Sequence, residues 1–282
     1  PDHPGSKGAF CVKGIRALPE LTYSKTRIKS PMRRVGERGS GNWEEISWDE
    51  ALDEIAERLL EVRAEHGPES LVGAVSSAFF SRGAMVALLM RSLGSPNWMI
   101  NQDLCGGCRA LSDRIMGLGI VGGEDVDNTK CALSVGRNPS AADPVQWMAL
   151  KLAKANGAKI IVIDPARTPA AEIADIWMRP RPGTDVALGL SLINVIIEEN
   201  LYDHDFVGEW TRGFEELKTR AAEFPPARAA ELTGIAADDI VTAARMYADG
   251  PSSFVSGHGI DAFSNGVQTF RAFHCLVAIT GN

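Results

Sequence analysis

The feature that most restricts the fold of this chain is a set of short apolar segments separated by longer segments of helical periodicity. The clearest segments are Cys131–Val135 and Lys159–Ile163, and Ser70–Val75 and Ser253–Ser256 have a similar character. Apolar runs of this length, bounded by turn residues, are typical of strands that are buried on both faces. Because helices separate these strands, the sequence predicts an α/β fold of parallel sheets with helices on both faces.

Six segments have the spacing of apolar residues that a helix requires. The first begins at Ser47-Trp48-Asp49-Glu50, a capping box in which the Ser47 hydroxyl and the Glu50 carboxylate each accept a hydrogen bond from the other residue's amide. The predicted helices are Ser47–His66, Gly83–Leu93, Asp143–Asn156, Asp185–Glu199, Ala236–Asp249 and Gly266–Ile279.

Composition excludes several classes of function. The 282 residues carry a net charge of −7, and no basic patch is evident, so no nucleic-acid partner is predicted. No apolar run reaches the roughly 18 residues of a membrane-spanning helix. Five cysteines at irregular spacing do not form a disulfide framework. Cys131 and Cys275 lie in apolar segments and are predicted to be buried packing residues.

Polar residues follow four of the predicted strands. They are Ser76-Ser77, Gly136-Arg137-Asn138-Pro139, Asp164 and Gly257-His258-Gly259. In open parallel sheets, ligands bind at the carboxyl ends of the strands. The set therefore predicts a large polar ligand with phosphates and hydrogen-bonding rings. None of these loops is a Walker A sequence or a dinucleotide-binding glycine fingerprint.

The order of several motifs resembles that of the molybdopterin oxidoreductases, in the dimethyl-sulfoxide-reductase class, over essentially the whole chain. The motifs are Gly8-Ala9-Phe10-Cys11-Val12-Lys13-Gly14, Trp43-Glu44-Glu45-Ile46-Ser47-Trp48-Asp49-Glu50-Ala51, Gly136-Arg137-Asn138-Pro139, Ile163-Asp164-Pro165-Ala166-Arg167-Thr168, Arg181-Pro182-Gly183-Thr184-Asp185, Gly257-His258-Gly259, Asn265-Gly266 and Ala278-Ile279-Thr280-Gly281-Asn282. The resemblance implies domains like the first three of formate dehydrogenase and dimethyl-sulfoxide reductase, and we expect the chain to be an internal piece, truncated at both ends.

The resemblance also implies the cofactor, which is a pair of molybdopterin guanine dinucleotides that hold one molybdenum or tungsten ion. The residues expected to bind it are Gly136, Asn138, Asp164, Gly183, Thr184, Asp185, Gly257 and Gly259. The carboxylates of Asp164 and Asp185 can accept hydrogen bonds from a guanine edge or from ribose hydroxyls. Thr184 is expected to cap the helix that begins at Asp185. The alternative for Asp185 is a charge that only stabilises the helix N-terminus.

Cys11 and Lys13 resemble the last part of the family's iron–sulfur motif. Cys11 would be the fourth cysteine ligand of a 4Fe–4S cluster, and Lys13 would be the basic residue between cluster and pterin, with a surface lysine as the alternative. Because such a cluster needs four thiolates, the other three cysteines are expected upstream of this chain.

The resemblance implies that the metal's protein ligand lies in Asn101–Arg109. Cys105 fits the family pattern Cys-x-Gly-x-Arg and is the first choice. Cys108 is the second choice. In some branches of the family the ligand cysteine or selenocysteine lies six residues after the aspartate equivalent to Asp103, whereas Cys108 lies only five residues after it. Arg109 is expected to lower the pKa of the thiol and to contact an anionic substrate. A redox disulfide or half of a zinc site is the alternative for this Cys-x-x-Cys pair.

The histidines give weaker indications. His258 could face the active site, but a role in positioning its loop is equally compatible with the sequence. His204 and His274 are interpreted as structural.

For the intact protein, the resemblance implies transfer of an oxygen atom, sulfur or a hydride equivalent to or from a small molecule, with electrons passing through the 4Fe–4S cluster to an iron–sulfur subunit. Reductases of thiosulfate or polysulfide in anaerobic respiration and formate dehydrogenases are the expected relatives. The alternatives are a tungsten lyase like acetylene hydratase and a non-catalytic subunit of a respiratory complex. Localisation is not predicted. The predicted domains are a cluster-domain remnant over 1–46 and pterin-binding segments over 47–128 and 129–282.

Overall fold

The computed structural model describes residues 3, 6, 8, 10, 11, 13–76, 80–118 and 125–282, except for the side chains of residues 80–82, 102 and 103. Ser77 and part of the predicted boundary over 121–129 lie outside these residues. The chain divides into two compact units, Val12–Gln102 and Pro1–Cys11 with Asp103–Asn282. The domain limits of the intact protein stay a prediction.

The described residues of the unit Val12–Gln102 form two small sheets and three α-helices. Its elements are a π-helix at Lys13–Ala17, α1 (Leu18–Tyr23), β1 (Met32–Arg34), β2 (Trp43–Glu45), α2 (Trp48–His66), a 3-10 turn at Pro68–Ser70, β3 (Gly73–Val75), α3 (Phe80–Ser92) and β4 (Trp98–Ile100). Strands β1 and β2 are antiparallel, whereas β3 and β4 are parallel.

The predicted capping box is confirmed at the start of α2. The Glu50 amide donates to the Ser47 hydroxyl over 3.2 Å, and the Ser47 amide donates to Glu50 Oε2 over 2.8 Å. The strand predicted from Ser70 is shorter, because the 3-10 turn at Pro68–Ser70 occupies its first residue.

The other unit is built around a four-stranded parallel sheet. Its elements are α4 (Gly107–Met116), β5 (Cys131–Val135), α5 (Pro139–Ala142), α6 (Pro144–Ala155), β6 (Lys159–Ile163), α7 (Pro169–Ile173), β7 (Ile176–Met178), α8 (Asp185–Glu198), α9 (His204–Trp210), α10 (Phe214–Ala221), α11 (Pro226–Thr233), α12 (Ala237–Ala248), β8 (Ser252–Ser256), a 3-10 turn at His258–Ile260 and α13 (Gly266–Ile279).

The strand order of this sheet is β7-β6-β5-β8, and every pair is parallel. In the register, Val135 lies beside Ile163 and Ser256, so three strands end at one level. The loops after β5, β6 and β8 therefore meet at one edge, as the sequence predicts for a ligand site.

Helices cover both faces of this sheet, which confirms the predicted class. On one face, Leu133 and Ile161 pack in a cluster with residues of α8, α12 and α13. On the other face, Ala132 and Ile160 pack with residues of α6 and α7. This arrangement buries β5 and β6 completely apart from Lys159.

Two further predictions concern individual features. Cys131 is 2% exposed, as predicted, but Cys275 on α13 is only partly buried. Among the described residues, no helix combines the length and the apolar character that crossing a membrane requires.

Candidate functional site

The glycines at the carboxyl edge join the loops that follow β5 and β8. The Gly257 amide donates to the carbonyl of Val135 over 3.0 Å, and the Gly259 amide donates to the carbonyl of Gly136 over 3.1 Å. A Cβ atom on Gly257 would overlap with the Gly136 carbonyl, and a Cβ on Gly259 would lie 2.8 Å from the same oxygen. These glycines therefore bring two strand-end loops together.

Asn138 lies in the same region, immediately before α5. It is partly buried, and its Oδ1 accepts a hydrogen bond from the Ser140 hydroxyl over 2.7 Å. The neighbouring Arg137 donates to Gln146 over 2.8 Å and pairs with Asp143 over 3.2 Å. These contacts fix the loop after β5 against α6.

Asp164 and Asp185 form a buried acidic pair at this edge. Asp164 follows β6, and its Oδ1 accepts a hydrogen bond from the Ala166 amide over 2.8 Å, while Asp185 is the first residue of α8. Burial raises the pKa of both carboxyls, and the charge of Asp164 raises the pKa of Asp185 further. Buried carboxylates of this kind are stabilised when they accept hydrogen bonds from a ligand.

Gly183 and Thr184 lead into α8. Gly183 has φ of 85°, which favours glycine, and its carbonyl accepts a hydrogen bond from Asn265 Nδ2 over 2.9 Å. The prediction that the Thr184 side chain caps α8 is wrong. Its hydroxyl donates instead to the Arg181 carbonyl over 2.7 Å, because the residue has a ψ of 6° and not the extended backbone of a capping residue.

The cysteine loop ends in a tight turn before α4. Gly106 adopts the left-handed conformation with φ of 83°, and α4 begins at Gly107. A Cβ on Gly106 would lie 3.7 Å from His258 Cε1. The part-buried Cys105 therefore precedes a turn that lies against the loop after β8.

Cys108 is held within the protein. Its Sγ donates to the carbonyl of Asp261 over 3.3 Å. A Cβ on Gly266 would lie 2.9 Å from this sulfur, so the absence of a side chain at Gly266 makes room for the thiol. Cys108 thus fixes α4 against the segment between β8 and α13.

Arg109 is partly buried, and its Nε lies 3.8 Å from Asp113 Oδ2. Asp113 also faces His274, whose Nε2 lies 3.4 Å from Oδ1, and His274 Nδ1 lies 2.9 Å from the Ser112 hydroxyl. Burial lowers the pKa of His274, although the charge of Asp113 opposes the shift. The interpretation of His274 as structural agrees with this buried position between α4 and α13.

Sequence reasoning missed Ser112, Asp113 and Asp261 as members of this region. All three are buried polar residues. Some of their partners lie far away in the chain, as His274 does for Ser112 and Cys108 for Asp261. The local signals are the helical spacing from Arg109 to Asp113, which puts both residues on one face of α4, and the three-residue spacing from His258 to Asp261.

Cys11 and Lys13 are both exposed and belong to different units. Within the described part of the chain, no group of three or more histidine, cysteine or acidic side chains could hold a metal ion. A thiolate is a suitable ligand for a metal whose other ligands are the sulfur atoms of a cofactor. The site fits a large polar cofactor of this kind, because it offers the part-buried thiol of Cys105 and two buried carboxyls that can accept hydrogen bonds from a ligand.

Comparison with known proteins gives a consistent result. The family model described as molybdopterin oxidoreductase matches residues 27–282. The chain is 42% identical to acetylene hydratase from Syntrophotalea acetylenica and 35% identical to formate dehydrogenase H from Escherichia coli, over 99% and 98% of its length. It is 33% identical to the molybdopterin-containing subunit of thiosulfate reductase from Salmonella typhimurium, over its full length.

A solved structure agrees with the fold. Acetylene hydratase from Pelobacter acetylenicus matches with a TM-score of 0.82 and 40% identity over the full chain. The chain spans only about two-fifths of these proteins, with 39% of each acetylene hydratase, 40% of the formate dehydrogenase and 37% of the thiosulfate reductase subunit.

Proposed function

The chain belongs to the molybdopterin oxidoreductase family, and from that premise we propose that the intact protein is a molybdenum or tungsten enzyme in which Cys105 is the protein ligand of the metal. The reaction is the transfer of an oxygen atom, sulfur or a hydride equivalent to or from a small molecule. Two molybdopterin guanine dinucleotides supply the dithiolene sulfurs and the redox chemistry of the centre.

The position of the cysteine loop supports this proposal best. The Cys105-Gly106 turn lies against the His258 loop, at the edge where the strands of the parallel sheet end. A thiolate is a suitable ligand for a metal that is already held by sulfur. The two glycines that follow Cys105, Gly106 and Gly107, let a bulky cofactor approach the backbone.

The choice of Cys105 over Cys108 follows from packing. Cys108 Sγ is bonded to the Asp261 carbonyl and lies against Gly266. To bind a metal, Cys108 would have to leave this position and disturb the start of α4. Cys105 precedes the helix, so a ligand at Cys105 requires no change within α4. Arg109 is proposed to stabilise negative charge at this loop, since it lies in the first turn of α4.

The dinucleotide is proposed to bind along the edge described above. Asp164 and Asp185 would accept hydrogen bonds from a guanine, and the loops that hold Gly136, Asn138, Gly183, Thr184, Gly257 and Gly259 would line the site. The raised pKa of both carboxyls fits this role, because a bound N–H donor would stabilise their charged form.

Cys11 is proposed to be one ligand of a 4Fe–4S cluster, with Lys13 between cluster and pterin and with electrons leaving to an iron–sulfur subunit. One thiolate cannot hold such a cluster, so the other three would come from sequence outside this chain. The exposure of both residues is compatible with contacts to further protein.

The proposal is tested in the intact protein with the variants Cys105→Ser and Cys108→Ser. Metal content and the visible spectrum of the metal centre are measured for each. We expect Cys105→Ser to lower bound metal or to shift the spectrum, and Cys108→Ser to leave both near the wild type while lowering thermal stability. If Cys105→Ser changed neither quantity, the ligand assignment would be wrong.

A second candidate function is the hydration of a small unsaturated substrate, as in the relative called acetylene hydratase. The 42% identity to that protein, against 35% and 33% for the formate dehydrogenase and the thiosulfate reductase subunit, favours it. A hydratase has no net redox reaction, so it would convert acetylene without consuming electrons during turnover. A reductase would oxidise reduced viologen in proportion to product, and this stoichiometry separates the two candidates.

A further inference from the structure

Asp261 is a buried carboxylate that connects the loop after β8 with the start of α4. Asp261 is 2% exposed, and both of its carboxylate oxygens have a hydrogen-bond partner. Oδ2 lies 2.8 Å from His258 Nδ1, and Oδ1 accepts a hydrogen bond from the Arg109 amide over 3.3 Å. Since a buried carboxylate is costly without such partners, Asp261 holds the His258 ring in a defined orientation.

This contact determines which atom of His258 remains for a ligand. A carboxylate only accepts hydrogen bonds, so His258 Nδ1 must carry the hydrogen. In the neutral ring, Nε2 is then an acceptor. The side chain of His258 is 62% exposed, whereas that of Asp261 is 1% exposed. The pair therefore combines a fixed imidazole with a ring that a small molecule can reach.

The ring also lies beside the proposed metal ligand. Its Cε1 is 3.7 Å from the position that a Cβ on Gly106 would occupy, and Gly106 directly follows Cys105. Cε1 is bonded to both ring nitrogens, so Nε2 is one bond away from the atom that approaches this turn. A Cβ at Gly106 would be in van der Waals contact with the ring.

Resting on the function proposed above, we propose that His258 is a catalytic residue whose Nε2 accepts a hydrogen bond from an O–H group at Cys105, and that Asp261 is the residue that positions it. The O–H group belongs either to a reacting water molecule or to a hydroxyl of the substrate. A carboxylate that fixes the tautomer of a histidine is a recurrent arrangement for this purpose.

Two substitutions of His258 in the intact holoenzyme separate this role from a structural one. His258→Asn keeps a polar group at the position of Nδ1, so it retains the contact with Asp261 but has nothing at the position of Nε2. His258→Gln reaches the position of Nε2 instead. We expect kcat to fall about 100-fold in His258→Asn and to recover at least in part in His258→Gln. A purely structural role predicts the opposite order.

The split between kcat and KM distinguishes the two sources of the O–H group. If the group is water, His258→Asn lowers kcat and leaves KM unchanged. If it is a substrate hydroxyl, KM rises as well, and the affinity for the substrate measured without turnover falls by a similar factor. Wild-type values of both constants in His258→Asn would overturn the proposal.

The positioning role of Asp261 has a readout that does not depend on activity. In 15N NMR spectra of the histidine side chains, His258 is expected to carry its hydrogen on Nδ1 in the wild type. Asp261→Asn can donate from its amide and should favour the tautomer with the hydrogen on Nε2, with a loss of kcat as in His258→Asn. An unchanged tautomer would contradict the role of Asp261.

Metal and pterin content, measured in every variant, separate this proposal from the one on which it rests. Normal metal content with unchanged kinetics in His258→Asn refutes only the role of His258. A wild-type protein that binds neither molybdenum nor tungsten, or a Cys105→Ser variant with an unaltered metal centre, refutes the proposed function. Should His258→Asn fold poorly, the tautomer of His258 in Asp261→Asn, measured together with the kcat of that variant, still tests the proposal.

Discussion

At the scale of single residues, the close contact between the loops after β5 and β8 depends on glycine. We predict that Gly257→Ala lowers the free energy of unfolding by about 1–3 kcal/mol, because its Cβ would overlap with the carbonyl of Gly136 and the backbone on both sides is fixed by hydrogen bonds. Urea denaturation followed by circular dichroism measures this change.

Gly208→Ala is the matched control for this substitution. Gly208 is exposed in α9, and a Cβ there would meet no atom within 4 Å. Alanine is the better helix former, so this variant should be as stable as the wild type or more stable by up to about 1 kcal/mol. Equal destabilisation by the two substitutions would rule out the steric explanation.

Residues of the candidate site could be predicted from the sequence only where a motif is local. The strand-end residues Gly136, Asp164 and Gly257 follow directly from the position of the strands. The hydrogen bond between Cys108 and Asp261 could not be predicted, because 153 positions separate the two residues. The capping bond predicted for Thr184 is not formed for a related reason. The turn at Gly183 brings the Arg181 carbonyl within reach of the Thr184 hydroxyl, and the motif alone does not indicate this contact.

At the scale of elements, Asp175 joins three segments around β6. Its Oδ2 accepts hydrogen bonds from Lys154 Nζ on α6 over 2.6 Å and from the Ile160 amide over 2.8 Å. Lys159 Nζ lies 3.6 Å from Oδ1. Burial raises the pKa of Asp175, but these hydrogen bonds and charges outweigh it and lower the pKa below its usual value.

A lowered pKa makes the contribution of Asp175 dependent on pH. The stabilisation is complete above the pKa of an unfolded aspartate, about 3.9, and is lost as pH falls through the lower value of the folded protein. We predict that Asp175→Asn reduces the free energy of unfolding by about 1–3 kcal/mol at pH 7, and that the difference from the wild type shrinks as pH falls below 4.

Urea denaturation at a series of pH values tests this prediction. Glu209→Gln, which removes an exposed carboxylate from α9, provides the control for the loss of one negative charge and should change stability by less than about 0.5 kcal/mol. A difference between Asp175→Asn and the wild type that stayed constant down to the acid limit of folding would contradict the role given to Asp175.

Elements with strong local patterns agree with the sequence prediction residue by residue. Strands Cys131–Val135 and Lys159–Ile163 and helix Gly266–Ile279 have the predicted bounds. Several elements could not be predicted from the sequence, among them α4 and β7. Helix α4 begins with glycines, which disfavour a helix, and β7 is a three-residue strand defined by its pairing with β6.

At the scale of the whole molecule, the bound cofactor should contribute to stability. A ligand that binds only the folded state raises the melting temperature, so the intact holoprotein should melt above the cofactor-free protein. We predict that Asp185→Asn reduces this difference in melting temperature, because it removes one of the two buried carboxylates that are proposed to accept hydrogen bonds from guanine. Differential scanning calorimetry of both forms, with pterin content measured in parallel, provides the test.

The cofactor-free form is the internal control for Asp185→Asn. In the cofactor-free protein, burial and the charge of Asp164 raise the pKa of Asp185, which means that the charged carboxylate is disfavoured there. Replacing it by a neutral amide should therefore leave the melting temperature equal to that of the wild type or raise it. If Asp185→Asn lowered the melting temperature by the same amount in the cofactor-free protein as in the holoprotein, Asp185 would stabilise the fold and would not bind the cofactor.

The strand order β7-β6-β5-β8 has a consequence for how the molecule folds. The central strand β5 pairs on one side with β6, which follows it closely in the chain, but its other neighbour, β8, is separated from it by the eight helices α5–α12. Closing so long a loop costs conformational entropy before the pairing of β5 with β8 can stabilise the sheet. During synthesis, the edge that carries the Gly257–Asp261 loop can therefore assemble only after β8 has left the ribosome, long after β5 and β6 have done so.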